Sequence, residues 1–102
     1  MSAYPKNYLK LKELFPELIR TYEDAGSLAK QSGPLDARTG HLIQLAACAA
    51  RRAEGGVHSH AKRALEAGAS KDEVYQTIAL LINTLGFPTA AAAFSWVNDV
   101  IQ

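Results

Sequence analysis

The side chains of this sequence that could carry out acid–base, nucleophilic or ligand chemistry are few. They are His41, Cys48, Arg51, Arg52, Glu54, His58 and His60. An imidazole transfers protons near neutral pH, a thiolate is a nucleophile, and a guanidinium binds carboxylates. The sequence contains no phosphate-binding loop, zinc-finger spacing or serine nucleophile elbow. We therefore expect any catalysis to depend on a histidine or on Cys48.

His60 is the histidine that periodicity turns inward. We predict a helix from about Val57 to Ala67, entered after a break at Gly55-Gly56, with an apolar face that includes His60. His58 lies two residues earlier, about 200° around that helix. The two imidazoles can share one centre only if His58 belongs to an unwound segment before the helix. His60 is a catalytic candidate or a hydrogen-bonded core residue, and His58 is a catalytic candidate or a solvent-facing one.

A metal site built on His58 and His60 is an alternative that the sequence supports only weakly. Catalytic zinc usually has three protein ligands, and His41 is the only histidine besides His58 and His60. No carboxylate is expected at a helix-compatible ligand spacing from these histidines. We predict no metal and no cofactor.

Cys48 is the single cysteine, so an internal disulfide is excluded. It follows His41 by two helical turns, about 10 Å of rise, which is too far for a thiol–imidazole couple within one helix. Its small, apolar neighbours predict a buried and unreactive thiol.

These side chains are expected to be held by an all-α bundle of about six helices. The first helix runs from about Lys6 to Leu14, and Pro16 begins a second that ends near Lys30. Caps are expected for each later helix. Asp36 opens the third helix, Gly68 closes the fourth, Ser70 with Glu73 opens the fifth as a capping box, and Thr89 opens the last.

Composition and charge limit the possible partners. The chain has 102 residues, of which 48% are hydrophobic, and a formal charge of +1. These values predict one globular domain over residues 1–102, without the basic face that nucleic-acid binding requires. No apolar run is long enough to cross a membrane, and no signal-peptide core is apparent. Together with the lone cysteine, this predicts a cytoplasmic protein.

The last helix is apolar around most of its circumference. Phe94, Trp96, Val97 and Val100 leave only a narrow polar strip. Such a helix is buried on more than one face, either centrally in its own bundle or against another subunit. We predict a homo-oligomer.

The middle of the chain resembles the carboxymuconolactone decarboxylase superfamily, which includes alkylhydroperoxidase D. Residues 60–74 read HAKRALEAGASKDEV, similar to the superfamily pattern H-x-x-x-A-L-x-x-G-a-[ST]-x-x-E-[IV]. Residues 41–46 (HLIQLA) and 86–94 (GFPTAAAAF) are also similar to its neighbouring helices, and residues 15–18 (FPEL) to its first core helix. The resemblance implies an all-α oligomer, such as a trimer or hexamer.

The resemblance also implies which residues matter. Redox members carry C-x-x-C-x-x-x-H, and the positions of that pattern are Ala53, Gly56 and His60 here. Their proton-relay glutamate corresponds to His41. Without thiols at positions 53 and 56, peroxide reduction by this route is not expected.

Three functions remain open from the sequence. The first is a cofactor-independent enzyme, such as a lyase, on a small organic acid or lactone. His60 would act as acid–base, His58 and His41 would lie nearby, and Arg51 or Arg52 would hold a carboxylate. The second is a non-catalytic oligomeric scaffold. The third, disfavoured by the missing cysteines, is peroxiredoxin-type antioxidant activity.

Overall fold

Six α-helices and no strand make up the part of the chain that the structure, a computed structural model, describes: residues 5–101. Their bounds are α1 Lys6–Leu14, α2 Pro16–Gln31, α3 Ala37–Ala50, α4 Glu54–Glu66, α5 Lys71–Leu85 and α6 Phe87–Val100. The predicted all-α class is confirmed, and most boundaries agree with the predicted ones to within one or two residues.

The chain divides into two compact units, residues 1–35 and residues 36–102. The first unit holds α1 and α2, a helical hairpin in which Pro16 takes an opening position of α2, where its missing N–H costs no hydrogen bond. The Tyr8 hydroxyl of α1 donates a hydrogen bond to the Glu23 carboxylate of α2. Lys12 pairs with the same carboxylate at 3.3 Å.

The second unit, formed by α3 to α6, holds the core. α3 packs mainly on α4, α5 on α6, and α4 on α6. Each helix contributes one large side chain that is fully buried. These are Leu45, Val57, Val74 and Val97. Small residues fill the space between them, so the helix axes can approach closely. The buried small residues are Ala49, Ala61, Ala64, Ala69, Ala90 and Ala93.

Three of the predicted caps are confirmed. Asp36 accepts a hydrogen bond from the Thr39 amide at the start of α3, and bonds from the Thr39 side chain and backbone hold the pKa of the Asp36 carboxyl below its usual value. Ser70 and Glu73 form the capping box of α5. Gly68 closes α4 with a φ of 105°.

Two predicted helix starts are wrong. α4 begins at Glu54, three residues before the predicted Val57, because the helix continues through Gly55-Gly56. α6 begins at Phe87 after Gly86, so Thr89 lies inside its first turn and does not cap it.

An apolar depression between α5 and α6 is open to solvent. Its cavity has a volume of about 350 Å³, and its lining includes Ile82, Phe87 and Phe94. Phe94 is 46% exposed, whereas Val97, which we expected to contribute to an interface, is fully buried in the chain's own core. Among the described residues, no helix has the length and apolar character needed to cross a membrane.

Self-association therefore stays a prediction, and its expected surface is the depression rather than the whole of α6. We expect Phe94→Glu to lower the average molar mass measured by light scattering, because a charge there opposes burial of the apolar surface. Ser95→Glu, an equal charge at the adjacent exposed position, is the control and should not change the mass. A wild-type chain that is monomeric at micromolar concentration would contradict the prediction.

Candidate functional site

His41 and His60 face each other across the contact between α3 and α4. Their Nδ1 atoms lie 3.3 Å apart, and their rings are tilted by 33° with centroids 5.5 Å apart. His41 is only 8% exposed and lies in line with Leu45 and Ala49, whereas His60 is half-buried beside Val57 and Ala61. In the superfamily resemblance, His60 is the unchanged relay histidine and His41 stands at the position of the relay glutamate; the fold brings the two into contact.

Two Nδ1 atoms at this distance can share one proton between them. One nitrogen donates as N–H while the other accepts with its lone pair, and the roles exchange with the tautomers. Two facing N–H groups would repel each other. The pair is thus arranged to hold one proton at this contact and to pass it in either direction.

His58 points away from this pair. Because α4 is already helical from Glu54, His58 and His60 lie about 200° apart around the helix. His58 Nε2 lies 2.9 Å from Asp99 Oδ2 on α6 and 3.8 Å from Glu54 Oε2, one turn earlier in α4. The expectation that no carboxylate stands at a helical ligand spacing from a histidine is therefore wrong, and the reason is the early start of α4.

The positions of the missing redox cysteines are neighbours in space. A β-carbon placed on Gly56 would lie 3.8 Å from the Ala53 β-carbon, a separation found in disulfides. It would also lie 2.5 Å from the Cys48 sulfur. The Cys48 thiol thus occupies the space beside Gly56 that a side chain at position 56 would need.

Cys48 itself is half-buried, so the prediction of a buried thiol is only partly correct. Burial raises the pKa of the Cys48 thiol, and the Arg51 guanidinium opposes that rise in part. A thiol of raised pKa forms less of the reactive thiolate at neutral pH, in agreement with the predicted low reactivity.

Arg52 is held in a conformation that ordinarily belongs to glycine. Its φ is 54°, making it the one residue besides glycine with a positive φ among residues 5–101. The Arg52 amide bonds to Ala49 O and the Ala53 amide to Cys48 O, which is a Schellman motif. α4 ends in the same motif, with Gly68 in the left-handed position.

The guanidinium of Arg52 reaches α6 and donates to the Thr89 hydroxyl at 3.1 Å. Arg51, at the end of α3, is exposed. Arg52 precedes α4, whose first residue is Glu54. His60 lies six residues after Glu54, about 9 Å further along the helix axis. The contact that the structure shows for Arg52 is thus with α6.

Gln44 is a residue that the sequence did not single out. Its Oε1 atom is buried and has no hydrogen-bond partner among the described residues. Gln44 follows His41 by three residues, so the two side chains are neighbours on α3. A buried, unpaired acceptor is costly, and a catalytic role or a bound water or ion can explain it. A glutamine within an apolar helix face was the one available sequence signal.

The contact between Cys48 and residue 56 gives a first prediction for this site. We expect Gly56→Ala to lower the free energy of unfolding by about 1–3 kcal/mol, because the new methyl group overlaps the Cys48 sulfur. Cys48→Ala should recover part of that loss, with a coupling of about 1 kcal/mol in a double-mutant cycle measured by denaturant unfolding. Gly55→Ala is the control: it meets nothing within 4 Å and should stabilise the helix by up to about 1 kcal/mol.

The positive φ of Arg52 gives a second prediction for this site. We expect Arg52→Gly to raise the free energy of unfolding by roughly 0.5–1 kcal/mol, since glycine removes the strain of the positive φ at some cost in chain entropy. Gly68→Ala, in the matching motif, should lower it by about 1 kcal/mol. Thermal melting of both variants tests the pair. A destabilised Arg52→Gly would show instead that the bond to Thr89 outweighs the strain.

Comparison with known proteins agrees with this fold. The sequence model of the carboxymuconolactone decarboxylase family matches residues 16–99. A carboxymuconolactone decarboxylase family protein of Legionella pneumophila superposes with a TM-score of 0.80 at 23% identity, over 94% of this chain and 88% of that one. A candidate carboxymuconolactone decarboxylase of Burkholderia xenovorans gives 0.73 at 26% identity, over 94% and 78%.

An uncharacterised protein of Haemophilus influenzae is 35% identical over 63 residues, which are 62% of this chain and 56% of that protein. This chain thus spans little more than half of that relative. The match of the family model, by contrast, runs from the start of α2 almost to the end of α6. The chain therefore belongs to the carboxymuconolactone decarboxylase family.

Proposed function

We propose that this chain is a cofactor-independent enzyme that acts on a small organic acid or lactone, with His60 and His41 as its acid–base pair. The observation that carries the proposal is the 3.3 Å contact between the two Nδ1 atoms. A buried imidazole backed by a second one is suited to general acid–base chemistry because the second ring accepts or returns the proton. Membership of a family named for a decarboxylase supports this class of reaction.

In a decarboxylation, the bond between the carboxylate carbon and the α-carbon breaks, and its electron pair remains on the substrate as an enolate. His60 would then donate a proton to that carbon, and His41 would supply the next proton through the Nδ1 contact. One proton is consumed for each CO₂ released. His60 is the more exposed of the two rings, so it is the one that a substrate would meet.

Two polar groups could orient the substrate. Gln44 Oε1, one turn from His41, is free to accept a hydrogen bond from a hydroxyl or a protonated carboxyl group. Arg52 remains the cation proposed for a substrate carboxylate, since an exposed guanidinium carried on a strained backbone is a candidate binding group. His58 and Arg51 remain predicted site residues without a part in this scheme.

A non-catalytic oligomer is the second candidate function. One observation favours it: His41 and His60 hydrogen-bond to each other between α3 and α4, as a purely structural pair would. The third function, thiol-dependent hydroperoxide reduction, is not proposed, because positions 53 and 56 lack the required thiols.

A paired measurement on His60→Gln and His41→Gln separates the first two functions. We expect each variant to bind a panel of small carboxylic acids and lactones about tenfold to a hundredfold more weakly than wild type, the loss of one hydrogen bond to a charged group. Lys62→Gln, on an exposed position of α4, is the control. Thermal melting of every variant shows whether the fold is intact.

If the histidine variants bind as wild type does and only melt at lower temperature, the pair is structural and the enzyme proposal is wrong. The same preparations should not reduce organic hydroperoxide with a thiol reductant. Turnover that disappears in Cys48→Ser would reverse this expectation.

A further inference from the structure

Three side chains with metal-binding atoms meet where α4 crosses α6. They are Glu54, His58 and Asp99, and their ligand atoms all lie within 4.8 Å of one another. We propose that they form a binding site for a divalent transition-metal ion, with Zn²⁺ as the best fit. The site does not depend on the proposed acid–base function, because neither His41 nor His60 belongs to it.

The two distances from His58 to the carboxylates are close to those around a tetrahedral ion. Metal–ligand bonds of about 2.0–2.1 Å at tetrahedral angles place two ligand atoms about 3.3 Å apart. The observed distances from His58 Nε2 are 2.9 Å to Asp99 Oδ2 and 3.8 Å to Glu54 Oε2, one slightly below and one slightly above that value. Both carboxylates are more than half exposed, so small rotations can bring them to the ion.

The backbone beneath these side chains is well fixed. Glu54 and His58 are four residues apart in α4, so one turn of helix carries both on the same side. Asp99 comes from the last turn of α6. Buried Val57 and Ala61 of α4 pack in the same core as Val97 of α6, which holds the two helices in place. Little backbone conformational freedom is therefore lost on binding.

The ligand types select the class of ion. One imidazole nitrogen with two carboxylate oxygens suits Zn²⁺ and its neighbours in the first transition row, whereas Mg²⁺ and Ca²⁺ prefer sites made of oxygen alone. Three protein ligands leave a fourth position for water. The carboxyl end of α6 adds partial negative charge beside Asp99, which further favours a cation there.

A simple hydrogen bond between His58 and Asp99 is the competing explanation of this geometry. That bond ties α4 to α6 without any need for Glu54, whereas a metal site uses all three groups. The role of Glu54 therefore distinguishes the two explanations. Glu66 is an exposed glutamate in the same helix, three turns after Glu54, and serves as the matched control.

The test is a titration of the full chain, without a histidine tag, with Zn²⁺ by calorimetry and with Co²⁺ by visible absorption. We expect about one ion per chain and a higher melting temperature with Zn²⁺. Glu54→Gln, His58→Gln and Asp99→Asn should each weaken Zn²⁺ binding by more than about tenfold, since even loss of a supporting group costs roughly that much. Glu66→Gln should bind as wild type does.

Melting of each variant without metal first establishes that it is folded, and Glu54→Gln keeps the test valid if His58→Gln unfolds. The proposal is overturned if wild type binds no Zn²⁺, or if Glu54→Gln binds as tightly as wild type. It is also overturned if binding survives His58→Gln and is lost in His60→Gln, which would place the ion at the other histidine pair. Failure here leaves the acid–base proposal standing, because its readout is binding of organic acids.

Discussion

The packing of α3 against α4 is the interaction on which the rest of the second unit depends. Only residues 51–53 join the two helices, and the left-handed Arg52 closes that connection. With so short a link, α4 must return directly alongside α3. His41, nine residues before the end of α3, and His60, six residues after the start of α4, then meet across the interface.

A single helix separates two sets of polar groups. α4 presents His60 to α3 and His58 to α6, while Val57, Ala61 and Ala64 fill the core between its neighbours. These apolar side chains fix the rotation of α4 about its own axis, because rotating the helix by 100° would bury a charged side chain and expose the apolar ones. The proton-sharing pair and the carboxylate–imidazole cluster can therefore differ in chemistry without disturbing each other.

The two positions that the superfamily resemblance assigns to redox cysteines lie close together here, although neither carries a thiol. Positions 53 and 56 remain at disulfide spacing, yet alanine and glycine occupy them and the Cys48 sulfur fills the space beside residue 56. Arg52 is a side chain carried on a strained, left-handed backbone. Function in this family is thus expected to vary by side chain while the backbone changes little.

The sequence by itself determined the elements whose signals are local. Asp36, Ser70 with Glu73, and Gly68 act through hydrogen bonds or backbone angles within a few residues, so they could be predicted. Only the tertiary structure decided that α4 begins at Glu54. Glycines are poor helix formers, but α4 approaches Cys48 so closely that residue 56 has no room for a β-carbon, so the helix carries a glycine there. The Glu54–His58–Asp99 cluster depends on that start and on a contact between residues 41 positions apart, which no local pattern records.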